Sequence, residues 1–189
     1  MERRFKSLSP EATEEIGVRL GELVWGGVVL TLDGDLGAGK TTFVRGLARG
    51  LGIEDGVASP TYTLMQQHDG GRLPLYHFDA WMEGREKALL ADGADEFLGH
   101  DGVSVVEWAG RVEGWLPSPR LSVELLHDSP ETRWVILRTA GGEGGPVGAL
   151  ERLQCVLGAL EVPGGAVESA SADSGDPAEP SGRGHVEGP

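Results

Sequence analysis

Residues Gly34-Asp35-Leu36-Gly37-Ala38-Gly39-Lys40-Thr41 follow the pattern G-x-x-x-x-G-K-[ST], and their surroundings leave few folds open. Before them, Val28-Val29-Leu30-Thr31-Leu32 is a short, β-branched, nearly all-apolar run, as expected of a strand buried on both faces. After them, Lys40–Leu51 carries Phe43, Leu47 and Leu51 at helical spacing. Strand, glycine-rich turn and helix, in that order, is the context in which the pattern forms a phosphate-binding loop. The competing reading is a glycine-rich turn that binds nothing, and the flanking strand and helix argue against it.

The residue types fit the chemistry. A triphosphate needs several donors aimed at one small volume. Glycines let the backbone curl so that successive N–H groups point inward. The helix opening near Lys40 adds its positive end. Gly34, Asp35, Leu36, Gly37, Ala38 and Gly39 supply the loop, Lys40 reaches the β- and γ-phosphates, and the Thr41 hydroxyl suits Mg²⁺. Thr42 either contacts the α-phosphate or is simply the next helical residue.

Such a loop needs a second site that holds Mg²⁺ and positions water. Asp79 closes the strand candidate Leu73–Asp79, and Glu107 closes the buried run Val103–Glu107. If both strands run parallel to Val28–Leu32, both acids emerge at the sheet edge that carries the loop. Either could serve Mg²⁺, directly or through water, and either could orient the attacking water. An antiparallel strand would leave its acid a solvated strand end. His77 reads as a packed or hydrogen-bonded histidine, because no second His or Cys sits at metal-site spacing. Trp108 follows Glu107, and strand alternation points it to the opposite face, into core packing.

The rest of the chain organises around these elements. Ser9–Trp25 reads as an amphipathic helix, with Ser9 as N-cap, Pro10 in the first helical position, Glu11 at the positive dipole end, and Gly26-Gly27 as the stop. Its apolar face is Ala12, Ile16, Leu20, Leu23 and Val24. Thr61–Gln67 looks extended, and Arg85–Leu98 looks like a broken helix interrupted by Gly93. Arg120–His127 and Thr132–Thr139 alternate and can pair as a hairpin, and Leu150, Leu153, Leu157 and Leu160 mark a final helix. The predicted fold is a three-layer α/β domain, a P-loop fold over residues 1–160, with a mostly parallel central sheet and an antiparallel hairpin at one edge.

Residues 161–189 change character: 29 residues hold six Gly, four Pro, four Ser and six acids, with no aromatic, Leu or Ile. They cannot bury enough apolar surface to offset ordering entropy, which predicts a disordered tail. Gly141–Gly145 is a flexible loop of the same kind. The formal net charge of −14 makes the chain a poor nucleic-acid binder by itself, because phosphate contacts need clustered Lys and Arg. A lone Cys155 forms no internal disulfide. No apolar run follows the basic residues Arg3, Arg4 and Lys6, and no stretch approaches a membrane span, so the expected location is the cytoplasm.

Four motifs in order resemble one family. Gly34–Thr42 looks like the full phosphate loop of the TsaE (YjeE) family, Ser59-Pro60-Thr61-Tyr62-Thr63 like its switch segment, His77-Phe78-Asp79 like its His-Phe-Asp motif and Glu107-Trp108 like its Glu-Trp motif. The resemblance covers roughly residues 5–139. It implies an ATP-binding and ATP-hydrolysing protein, weak alone, that supports threonylcarbamoyl modification of the adenosine beside the anticodon in tRNAs reading ANN codons. It implies a TsaB–TsaD pair as partner, which would bring tRNA only indirectly. It further implies Lys40 on phosphates, Thr41 and Glu107 on Mg²⁺, Asp79 as the catalytic aspartate, and Thr61 as a sensor of the γ-phosphate. The family usually continues His-Phe-Asp with Leu-Tyr-Arg, whereas here Ala80, Trp81 and Met82 follow. Methionine cannot replace an arginine's charge or fork, and Arg85 is the nearby candidate for that role.

Two other functions share these features. A small nucleotide or metabolite kinase has a P-loop but usually carries a lid of clamping arginines. Between Arg72 and Arg120 this chain has only Arg85, Lys87 and Arg111. A nucleotide-gated switch with little turnover would differ mainly in rate.

Overall fold

The computed structural model describes residues 1–54, 56–82, 84, 94–141, 146–163 and 167–168. Its strands are β1 Glu2–Ser7, β2 Val29–Gly34, β3 Met65–His68, β4 Leu75–Asp79, β5 Val103–Glu107, β6 Arg120–His127, β7 Arg133–Ala140 and β8 Val167–Glu168. Its helices are α1 Pro10–Leu23, α2 Lys40–Gly50, α3 Ala94–Phe97 and α4 Ala149–Ala159.

One mixed sheet runs in the order β3-β4-β5-β2-β6-β7-β1-β8. Its centre, β4-β5-β2-β6, is parallel. Antiparallel strands extend it on both sides: β3 beside β4, and β7, β1 and β8 beyond β6. The condition set by the two strand-end acids is therefore met. Asp79 and Glu107 are register partners at the carboxyl ends of β4 and β5, and Leu32 of β2 pairs with Glu107 one strand over. The phosphate-loop motif begins where β2 ends.

Helices α1, α2 and α4 cover one face of the sheet, through a core that includes Phe5, Ile16, Leu30, Phe43, Val105, Val123 and Leu157. On the opposite face, Tyr76, Phe78 and Val106 form a second cluster beneath Phe97 and Leu98. On β4, Leu75 faces the helices while Tyr76 and Phe78 face the second cluster, the two-residue alternation of a strand buried on both sides. The far antiparallel strands are buried on one face only. Their other face carries Arg138, which bridges Glu2 and Glu124, as expected of antiparallel strands with a solvated side.

Helix α1 starts as read, with the Ser9 hydroxyl accepting from the Ala12 N–H at 3.2 Å. It ends at Leu23 rather than Trp25, and a distant Arg72 donates to the Gly21 and Val24 carbonyls. Its buried face is also rotated from the expected one: Leu23 is exposed, while Gly17 and Gly21 lie buried beside Ile16 and Leu20. The reason is the contact with α2. Gly17 and Gly21 on α1 meet Gly46 and Gly50 on α2, backbone against backbone. A Cβ on Gly46 would stand 1.9 Å from the Glu14 carbonyl oxygen, and one on Gly17 2.3 Å from that of Phe43. Glu14 also pairs with Arg49 at 2.6 Å across the same crossing.

Other expectations were corrected. Thr61–Gln67 is extended only from Met65 onward. Thr61–Thr63 form a turn closed by the Leu64 N–H on the Pro60 carbonyl at 2.7 Å, with Leu64 held at φ 65°. Strand β1, Glu2–Ser7, had no counterpart in the sequence reading. Of Arg85–Leu98 only residues 94–98 are described, and Ala94–Phe97 is helical. Residues 142–145, within the expected Gly141–Gly145 loop, lie outside the described residues, as does most of 161–189. Val162 still packs on the core, and Val167–Glu168 pair with β1. Among the described residues, no helix is long and apolar enough to cross a membrane.

Alanine at Gly46 would gain about 1 kcal/mol in helix propensity. The overlap with a backbone oxygen outweighs that gain. We expect Gly46→Ala to lose about 3 kcal/mol or more, a fall in Tm of roughly 6–12 °C. Gly114→Ala, with nothing within 4 Å of its Cβ, should stay within about 0.5 kcal/mol. Thermal unfolding of both variants checks the pair.

Candidate functional site: a phosphate loop facing two strand-end carboxylates

The loop's shape follows from its glycines. Gly34 ends β2 at φ 142°, where a Cβ would meet the Leu125 carbonyl oxygen at 2.4 Å. Gly39 stands at φ 103° in the N-cap position of α2 and offers no side chain to the helix. The first-turn N–H groups of α2 thus have no capping side chain and no intrahelical acceptor, and are left to whatever enters the loop.

Loop, switch segment and strand ends enclose a cleft of about 400 Å³, a size that small ligands commonly occupy. Leu36, Gly37, Gly39, Lys40, Thr41 and Thr42 line it on the loop side. Ser59 and Thr61 face them with Asp79, Trp81, Glu107 and Trp108. Gly34, Asp35 and Ala38 are not among the lining residues. Gly34 and Asp35 turn their carbonyls to the Lys40 ammonium, at 2.7 and 3.0 Å. Ala38 is fully buried, and its carbonyl accepts from Arg133 at 3.4 Å.

Lys40 is 5% exposed. Burial pushes its ammonium below the ordinary lysine value, against the opposing pull of the Glu107, Asp79, Asp33 and Asp35 carboxylates. Its Nζ also lies 3.5 Å from the centroid of the Trp108 ring. Trp108 packs against the second cluster, as expected, but it reaches the cleft as well. At φ 59° it leaves the strand conformation, so alternation no longer aims it. Its ring turns to the cleft and lies tilted against Trp81, the centroids 4.4 Å apart.

The carboxylates are engaged. Thr41 Oγ1 donates to Glu107 Oε1 at 3.1 Å, and His77 Nε2 lies 2.9 Å from the same oxygen. Asp79 Oδ2 accepts from Ser59 Oγ at 2.8 Å and Thr61 Oγ1 at 2.7 Å, while Oδ1 accepts the Trp81 N–H at 2.8 Å. The switch segment is thereby latched onto the acid at the end of β4.

The donor set suits Mg²⁺. Two neighbouring ligands of an octahedral Mg²⁺ stand about 3 Å apart, close to the Thr41–Glu107 separation, and both are hard oxygens. Among the described residues, no group of three or more His, Cys, Asp or Glu could hold a metal alone. An ion here would complete its shell with water and phosphate oxygens, the usual habit of Mg²⁺.

Four contributors escaped the sequence reading: Ser59 as a donor to Asp79, Arg133 under the loop, Asp33 and Arg111. Asp33 follows Leu32, accepts the Gly110 N–H at 3.1 Å, and has its carboxyl pushed up by burial. Arg111 donates to the Trp81 carbonyl at 2.6 Å and lies 5.2 Å from the Trp81 ring. It brings a guanidinium to the segment where Met82 stands in the arginine position; Arg85 lies outside the described residues. The one available signal was position, since Asp33 directly precedes the motif.

The chain is similar to known proteins in sequence and in fold. The family model for "Threonylcarbamoyl adenosine biosynthesis protein TsaE" matches residues 7–135. The chain is 40% identical over 139 residues to the tRNA threonylcarbamoyladenosine biosynthesis protein TsaE of Bacillus subtilis, covering 73% of this chain and 86% of that protein. It is 41% identical over 122 residues to the protein of the same name in Treponema pallidum, covering 65% and 90%. The crystal structure of Bacillus subtilis YdiB superposes with a TM-score of 0.70 at 32% identity, covering 85% of this chain and 94% of that one. A family model matched over residues 7–135 and relatives about 40% identical show that the chain belongs to the TsaE family of tRNA threonylcarbamoyladenosine biosynthesis proteins.

Proposed function

We propose that this chain is a Mg²⁺-dependent ATPase that supports threonylcarbamoyl modification of the adenosine beside the anticodon in tRNAs reading ANN codons. The observation that carries the reading is the meeting of Lys40, Thr41, Asp79 and Glu107 at one cleft. Those are the parts phosphoryl transfer to water requires: a cation for the phosphates, oxygens for the metal and a carboxylate for the nucleophile.

In this reading the loop from Gly34 to Thr42 cradles the triphosphate and Lys40 leaves the Gly34 and Asp35 carbonyls for the β- and γ-phosphates. Thr41 and Glu107 hold Mg²⁺, with Asp79 facing the same edge. Mg²⁺ held there would supply positive charge against the phosphates. Asp79 orients the attacking water. Its Oδ2 accepts from both Ser59 and Thr61, so a γ-phosphate that draws the Thr61 hydroxyl away leaves that oxygen one lone pair for water. Such an exchange makes the switch segment a sensor of ATP over ADP.

The partner in this reading is a TsaB–TsaD heterodimer, which brings the tRNA, and the place of action is the cytoplasm. The net charge of −14 supports an ATPase that does not hold tRNA alone.

Lys40→Ala should abolish ATP hydrolysis, because the phosphate charge loses its counter-ion in a buried site; normal turnover by that variant would overturn the site. Glu107→Ala should lower Mg²⁺-dependent turnover by about 100-fold or more while metal-free ADP affinity changes little; a loss confined to metal-free binding contradicts its role. Hydrolysis by the purified chain should rise strongly when TsaB–TsaD is added. Unchanged hydrolysis with no complex formed argues against the partnership.

A further inference from the structure

Strand register places a further side chain beside the proposed metal site. His77 and Asp79 project from the same face of β4, two residues apart, and Glu107 projects from that face of β5. Asp79 is the direct register partner of Glu107 and His77 is its diagonal neighbour, because His77 pairs with Val105. The diagonal is within reach of a long side chain, and the imidazole spans it to Glu107 Oε1 at 2.9 Å.

We propose that His77 is a positioning residue for Glu107: its Nε2–H anchors Oε1 and sets the carboxylate in the rotamer that faces Thr41. The inference rests on the reading of Thr41 and Glu107 as the Mg²⁺ site. A glutamate side chain turns about three bonds, and a metal ligand that turns freely loses affinity. A partner outside the metal's own shell removes that freedom. His77 is 0% exposed and Glu107 is 2% exposed, so no solvent competes for the bond. Because Glu107 accepts, Nε2 carries the hydrogen of this bond.

Nδ1 is the second observation. It is buried with no hydrogen-bond partner among the described residues. An orphaned polar atom in a core costs free energy. A side chain kept only for packing on that face of β4 would do better as an apolar residue of similar size. The imidazole is retained at that cost, and the group it serves is the Glu107 carboxylate.

Glutamine and asparagine separate the two nitrogens. The Gln amide nitrogen reaches about as far as Nε2, whereas that of Asn stops near Nδ1. The experiment compares His77→Gln and His77→Asn with the unaltered chain, reading Mn²⁺ affinity for the ADP-bound protein by electron paramagnetic resonance and ADP affinity in EDTA by calorimetry. His77→Asn should weaken Mn²⁺ binding by about 10–100-fold and leave metal-free ADP affinity within about twofold. His77→Gln should recover most of the Mn²⁺ affinity. Unchanged Mn²⁺ affinity in the Asn variant, or equal loss in both variants, overturns the proposal. Failure of the unaltered chain to bind ADP, or Mn²⁺ in its presence, would instead overturn the underlying reading, and this inference with it. Should the Asn variant not fold, His77→Leu of similar bulk takes its place, with the same outcomes deciding.

Discussion

Asp79 and Glu107 stand opposite each other on adjacent parallel strands, and the cleft depends on that register. A slip by one residue would turn every side chain of one strand to the other face. His77 and Asp79 would then enter the apolar cluster under Phe97, and Tyr76 and Phe78 would meet the loop. Burial on both faces prevents the slip, since each face already has its own apolar set. Parallel direction brings the ends of β4, β5 and β2 to one edge. The Trp108 N–H on the Leu32 carbonyl, at 2.8 Å, ties β5 to β2 just where the acids emerge.

The other side of the cleft is set by helix packing. Four glycines let α1 and α2 meet backbone to backbone, which fixes how α2 lies on the sheet and hence where its uncapped N-terminus points. Gly17/Gly21 and Gly46/Gly50 are each four residues apart, one face of a helix. Larger side chains would hold the helices farther apart and draw Lys40 and Thr41 away from Glu107. Stability and site geometry therefore share the same residues.

Electrostatics within the cleft are finely opposed. Burial disfavours the Lys40 charge, and four carboxylates favour it. Two loop carbonyls and the face of Trp108 complete the surroundings of the ammonium. A site of this kind attracts phosphate only if the cation is released toward it and the acids are screened by metal.

Much of the fold was legible in the sequence: the strand before the motif, the helix after it, β5 at its full bounds, the hairpin of β6 and β7, and the capped start of α1. These depend on local periodicity, turn chemistry and glycine's freedom at positive φ, all of which leave their mark within a dozen residues. The motif also named Lys40 and Thr41. Asp79 and Glu107 were legible as strand ends but not as neighbours, because strand direction and register arise from pairing between segments far apart in the chain. For the same reason only the tertiary structure decided that His77 touches Glu107, that Ser59 and Thr61 latch Asp79, that Arg133 supports the loop and that Trp108 turns into the cleft. Strand β1 escaped because Phe5 is its one large apolar residue, and β7 supplies its partner. The sequence alone thus determined most of the elements and the polar groups they carry. The tertiary structure decided which side chains meet, since contacts across the sheet are set by burial and register rather than by neighbours in the chain.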